Sequence, residues 1–124
     1  MIINSIKIKN FQTYFGDVEF EFDKPSSKKN VTLIGGLNGA GKTSFFSSIA
    51  LGLFGKNAQG IIFERSTGES INDSYESYLN EVFSNEAKKV NDIEMEISIS
   101  ITHEGNDIKI VRKWWFDNNI DEIL

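Results

Sequence analysis

The chain contains no cysteine, one histidine, one proline and no long apolar run, and each scarcity removes a class of function. Without cysteine there is no disulfide framework, no thiolate zinc site and no cysteine nucleophile. The lone histidine, His103, leaves no histidine-rich metal site and no histidine-centred triad; it falls in a turn sequence, where an ordinary surface residue is expected. Residues 1–10 lack the apolar run of a signal peptide, and no stretch approaches the ~18 apolar residues of a membrane span. A soluble, cytoplasmic chain with no membrane partner is the expectation. At 124 residues, 40% hydrophobic and 25% charged, it has the usage of one small globular domain and not of a disordered tail.

The net charge of −5 is unevenly spread. Residues 1–60 carry seven Lys/Arg against four Asp/Glu, and residues 61–124 carry six against fourteen. The first half can receive an anion and the second repels nucleic acid, although two solvated faces of opposite sign give the same count.

Ile6 and Ile8 alternate with Lys7 and Lys9, and Val18, Phe20 and Phe22 with Glu19 and Glu21, the period of two half-buried strands. Gly16-Asp17 reads as the turn of this opening hairpin. Asp23 to Asn30, with Pro25 and three lysines, reads as an exposed loop. Val31-Thr32-Leu33-Ile34 has the look of a buried strand, and Lys42 to Phe54 that of a helix buried along Phe45, Phe46, Ile49, Ala50, Leu53 and Phe54, stopped by Gly55. A second helix capped by Asn72 or Asp73 carries Tyr75, Tyr78, Leu79, Val82 and Phe83. From Asp92 strict alternation returns: Ile93, Met95, Ile97, Ile99 and Ile101 on one face, Glu94, Glu96, Ser98 and Ser100 on the other. A turn over 103–107 then leads back through Ile108 to Phe116.

One motif carries chemistry. Gly36-Leu37-Asn38-Gly39-Ala40-Gly41-Lys42-Thr43 fits G-x-x-x-x-G-K-S/T between an apolar strand and an amphipathic helix, the context that a phosphate-binding loop requires. Its glycines let successive N–H groups converge on an anion, and the helix start adds its positive dipole end. Gly36, Asn38, Gly39, Ala40 and Gly41 form the cradle, Lys42 the mobile positive charge, Thr43 the Mg²⁺ ligand and Ser44 a donor to the innermost phosphate. ATP and Mg²⁺ are therefore the expected ligands. A glycine-rich turn with no ligand is the bland alternative.

Hydrolysis needs a carboxylate after a second apolar strand. Glu64 lies too soon after Lys42, and Asp121-Glu122 follows asparagines, so no catalytic residue is assigned. Lys24, Lys28 and Lys29 read as a solvated loop, Tyr75/Tyr78/Leu79 as a core stripe, and Trp114-Trp115 as one core and one edge contact.

Residues 6–14, 33–44 and 50–55 together resemble an SMC/RecF/SbcC-type ATPase head, and within that class the chain is similar to the DndD family of DNA sulfur modification proteins. Residues 74–79 and the strand pair ending in Val111-Arg112-Lys113 add to the likeness. The resemblance implies an α/β fold, the N-terminal lobe of a P-loop NTPase of the ABC-ATPase-head type with antiparallel edge strands, spanning 1–124. It implies that a coiled coil and a C-terminal lobe with the catalytic carboxylate lie elsewhere, the chain being a fragment or the partner of another product. Two heads then dimerise around ATP, and the complete complex acts on DNA. Gln12 stands where many relatives place an arginine that reaches the nucleotide phosphates, so a role for Gln12 in binding, weakened by the lost charge, is implied. A small nucleotide kinase, disfavoured by having only Arg65 and Arg112 for a lid, and a non-catalytic nucleotide-dependent interaction module are the alternatives.

Overall fold

The computed structural model describes residues 1–22, 41–58 and 75–116. Four antiparallel strands form one sheet: β1 (Ile2–Phe11), β2 (Tyr14–Glu21), β3 (Glu94–His103) and β4 (Asn106–Trp115), in the order β2-β1-β3-β4. Helix α1 (Lys42–Phe54), a 3₁₀ turn (Gly55–Asn57), α2 (Tyr75–Val82) and α3 (Asn85–Lys89) complete the described elements. The expected strand at Val31–Ile34 lies outside the described residues, as do Pro25, the three loop lysines, Glu64, Arg65, Asn72, Asp73, Asp121 and Glu122. None of the described helices is long and apolar enough to cross a membrane.

One face of the sheet is apolar because the alternating residues of neighbouring strands fall in register. Ile6 pairs with Ile99, Ile8 with Ile97 and Met95 with Trp114. Ile6, Ile8, Met95, Ile97, Ile99 and Ile101 are buried beneath α1 and the aromatic side chains of its first turn. Phe45 packs edge-on against Phe20 at 4.9 Å and against Phe22 at 6.4 Å. Tyr78, Leu79 and Val82 of α2 join the same core, as the stripe predicts. Trp114 packs on that core while Trp115 is 65% exposed, the expected division of the pair.

The face that α1 buries differs from the sequence expectation. Ser44, Ser48 and Gly52, four residues apart, are buried with Phe45 and Leu51, whereas Phe46 and Phe54 are exposed and Ile49, Ala50 and Leu53 half-buried. Proximity decides this. A Cβ on Gly52 would stand 2.8 Å from both Ile97 Cγ2 and Ile99 Cδ1, so only the small-residue stripe lets the helix sit this close to β3. The buried Ser48 hydroxyl is satisfied locally, donating to the Phe45 carbonyl at 2.6 Å.

The hairpin turn is also displaced from its expected place. Chain reversal occurs at Gln12-Thr13, with Phe11 opposite Tyr14, and Gly16-Asp17 lie inside β2. The register slips between Lys9 and Phe11, so that Phe15 and Gly16 oppose the single residue Asn10, a bulge. The second helix ends at Val82; Phe83 instead forms an isolated bridge with Phe11 and stacks on Phe116 at 4.2 Å. The short α3 that follows is capped by the Ser84 hydroxyl, which accepts from the Ala87 N–H, and periodicity did not announce it. The β3–β4 turn narrows to Glu104-Gly105, both at positive φ, and His103 beside it is exposed as expected.

The opposite sheet face is polar, yet Glu96 and Ser98 there are buried, because β3 is central and long neighbours cover them. Glu96 lies 3.5 Å from Lys7 and 3.3 Å from Lys113, and accepts from the Ser98 hydroxyl. Burial pushes the Glu96 carboxyl up, but the hydrogen bond from Lys113 and the charges of Lys7 and Lys113 outweigh it and hold it below its ordinary value. Asp92 is lowered chiefly by the Asn10 side-chain hydrogen bond, against a smaller effect of burial. Both carboxyls are easier to ionise in the folded chain, so their stabilisation is present above their ordinary values of 3.8 (Asp92) and 4.5 (Glu96) and disappears as pH falls through the folded-state values. The midpoint of urea unfolding is accordingly expected to drop on acidification below pH ~4.5, and Glu96→Gln to flatten that dependence; a midpoint that rises with acid contradicts it. Gly52→Val is expected to cost about 1–3 kcal/mol in the same assay by overpacking α1 against β3, and an unchanged midpoint contradicts that seating.

Candidate functional site

Gly41, Lys42, Thr43 and Ser44 form the start of α1; Gly36, Asn38, Gly39 and Ala40 lie outside the described residues. Gly41 is the N-cap, with φ 102° and ψ 1°, and its carbonyl accepts the Phe45 N–H at 2.8 Å, the first bond of the helix. Lys42 is half-buried, Thr43 exposed and Ser44 buried. The first turn carries no acidic side chain and no side-chain cap, so its free N–H groups and positive dipole end are uncompensated by the protein's own carboxylates there.

The tip of the β1–β2 hairpin lies against this helix start. The Tyr14 hydroxyl donates to the Gly41 carbonyl at 2.9 Å. A Cβ on Gly41 would meet the Tyr14 hydroxyl at 3.1 Å and the Thr13 hydroxyl at 3.3 Å. Gln12 occupies the same two-residue turn at φ 51°, its backbone N–H donating to the Val82 carbonyl at 2.6 Å. Gln12 thus belongs to the turn that abuts the helix start carrying Lys42 and Thr43, although Gln12 and Lys42 are 30 residues apart in the chain.

Asn10 holds that turn in place. It is fully buried at φ 56°, and its amide nitrogen donates to Asp92 Oδ2 at 2.9 Å and to the Glu94 carbonyl at 2.8 Å. Its Oδ1 accepts the Gly16 N–H at 2.8 Å, and its backbone carbonyl accepts the Ser84 N–H at 3.0 Å. A buried amide is stable only when so satisfied.

Toward the other end of α1, the helix meets Arg112. Its Nε donates to the Gly52 carbonyl at 2.7 Å and its guanidinium lies beside Gly55, the C-cap at φ 57°. A cation is favoured at that dipole end. Sequence reasoning missed the roles of Arg112 and Tyr14. An arginine on a strand face that otherwise points into the core is a readable signal for the first; the second closes the 6–14 stretch that carries the family likeness, but nothing local there marks its role.

Among the described residues no cluster of His, Asp and Glu suits a metal ion. The Thr43 hydroxyl, the expected Mg²⁺ ligand, is exposed beside the half-buried Lys42 and so open to an ion held mainly by phosphate and water. A separate concavity of about 640 Å³ opens at the opposite end of the sheet, lined by Ile2, Asn4, Thr102, Asp107 and Lys109 among others. It contains none of the residues expected to bind phosphate.

Gly41→Ala places a side chain in a left-handed conformation against Tyr14 and Thr13. It is expected to destabilise the chain by about 1–3 kcal/mol in urea unfolding, and an unchanged midpoint contradicts the conformation described.

A family model described as an AAA domain matches residues 5–123. No curated protein matches the chain.

Proposed function

The chain belongs to the AAA domain family, a family of ATP-binding ATPase domains of the SMC/RecF-like kind, and from that premise we propose that residues 36–44 bind Mg·ATP. The observation that carries this reading is the start of α1: a left-handed Gly41, then Lys42, Thr43 and Ser44, in a first turn that holds no acidic residue of its own. Lys42 neutralises the outer phosphates, Thr43 supplies an oxygen to Mg²⁺, and Ser44 and the backbone N–H groups accommodate the inner phosphates. When bound, Mg²⁺ would offset negative charge on the phosphate oxygens that Lys42 and Thr43 face. The chain's own part is to bind and orient the triphosphate.

In the same proposal, the chain serves as the N-terminal lobe of a head whose C-terminal lobe supplies the catalytic carboxylate, and two such heads close around ATP. Motif likeness over 6–14, 33–44 and 50–55 supports a DndD-like role, in which ATP-driven closure is coupled to phosphorothioate-linked DNA modification, repair or defence in the cytoplasm. Gln12 then lies near the phosphates without an arginine's charge.

Calorimetric titration with Mg·ATP tests the core of this reading. Lys42→Ala removes a charged phosphate contact and is expected to weaken binding by at least about tenfold; equal affinity contradicts it. Binding with no phosphate release, even with the complementary lobe added, identifies a nucleotide-dependent interaction module instead.

A further inference from the structure

The Tyr14 hydroxyl reaches the Gly41 carbonyl from the hairpin tip, although Tyr14 is no part of the G-x-x-x-x-G-K-S/T motif. We infer that Tyr14 is a positioning residue for the phosphate site: by holding the Gly41 carbonyl, it fixes the peptide plane from which the Lys42 N–H is presented to an anion. This rests on residues 36–44 being the phosphate loop.

The Gly41 carbonyl accepts two donors, the Phe45 N–H at 2.8 Å and the Tyr14 hydroxyl at 2.9 Å, one for each lone pair. The peptide between Gly41 and Lys42 is planar and trans, so its C=O and N–H point in opposite directions. Pinning the carbonyl into the helix therefore aims the Lys42 N–H out of its N-terminal end, where the dipole favours negative charge. Gly41 supplies no restraint of its own, because a glycine at φ 102° has no Cβ to limit it. Beyond the helix bond from the Phe45 N–H, the restraint comes from the Tyr14 hydroxyl, with the Thr13 hydroxyl alongside.

Tyr14 is itself held. Its ring stands edge-on to Phe20 at 5.8 Å, and Phe20 stands edge-on to Phe45 of α1. The neighbouring Gln12 N–H is tied to Val82. Burial pushes the Tyr14 hydroxyl up from its ordinary value, so it stays a proton donor at neutral pH.

Tyr14→Phe keeps the ring and removes only the hydroxyl. Two measurements on the whole chain test the inference: calorimetric affinity for Mg·ATP and for inorganic triphosphate, and amide exchange at Phe45 without nucleotide. The expected result is a loss of affinity of about two- to tenfold, equal for both ligands because the defect lies at the phosphates, with faster exchange at Phe45. Affinities equal to wild type, while Lys42→Ala loses ATP, overturn the positioning role and leave the nucleotide reading intact. A lowered melting temperature with unchanged affinity overturns the positioning role in the same way. A wild-type chain that binds neither ligand overturns the nucleotide reading and this inference with it.

Discussion

Asn10 is a buried amide in a left-handed backbone conformation, and the placement of everything around the candidate site depends on its being satisfied. Three side-chain hydrogen bonds and one to its own carbonyl join β2, the start of β3 and the segment before α3 at a single residue. Leaving such a group unpaired in the interior costs about 1–3 kcal/mol per lost partner. The bulge at Phe15-Gly16, whose Gly16 N–H Asn10 binds, sets the register of the hairpin, and the register brings the Gln12-Thr13 turn and Tyr14 to the start of α1.

Helix α1 is thereby fixed at three points by different physics. Its N-terminus is met by the Tyr14 hydroxyl, its last turn is close-packed through Gly52 on Ile97 and Ile99, and the Gly52 carbonyl accepts from the Arg112 guanidinium. A phosphate-binding helix start works only if its N–H groups hold their direction when charge arrives, since preorganised dipoles need no reorganisation on binding. The sheet therefore acts as the frame for the site. The ion-pair cluster around Glu96 on the far face adds to the rigidity of β3, the strand on which α1 rests.

Strict periodicity makes several elements readable from the chain alone: β1, β2, β3 and β4, the span of α1 to its Gly55 stop, and the core stripe of α2. Three features escape it. Apolar spacing points Phe46 and Phe54 of α1 inward, whereas close approach to β3 selects the serines and Gly52 and leaves both phenylalanines outside. Composition marks Gly16 as the turn residue, but Asn10 and Gln12 adopt positive φ themselves, and no local rule separates a bulge from a turn. The joining of Tyr14 to Gly41 is a contact between residues 27 apart, which periodicity does not encode. Of the expected site, the motif identifies Lys42, Thr43 and Ser44; their seating against the hairpin tip is visible only in the fold.

Anion binding at the meeting of the hairpin tip and the start of α1 is the proposition on which the functional reading stands. Amide chemical shifts of the isotope-labelled chain, followed while Mg·ATP is added, locate the ligand residue by residue. The largest changes are expected together on Gly41 to Ser44 and on Gln12 to Tyr14. Changes confined to the concavity around Asn4, Thr102 and Lys109, with the helix start silent, would refute it.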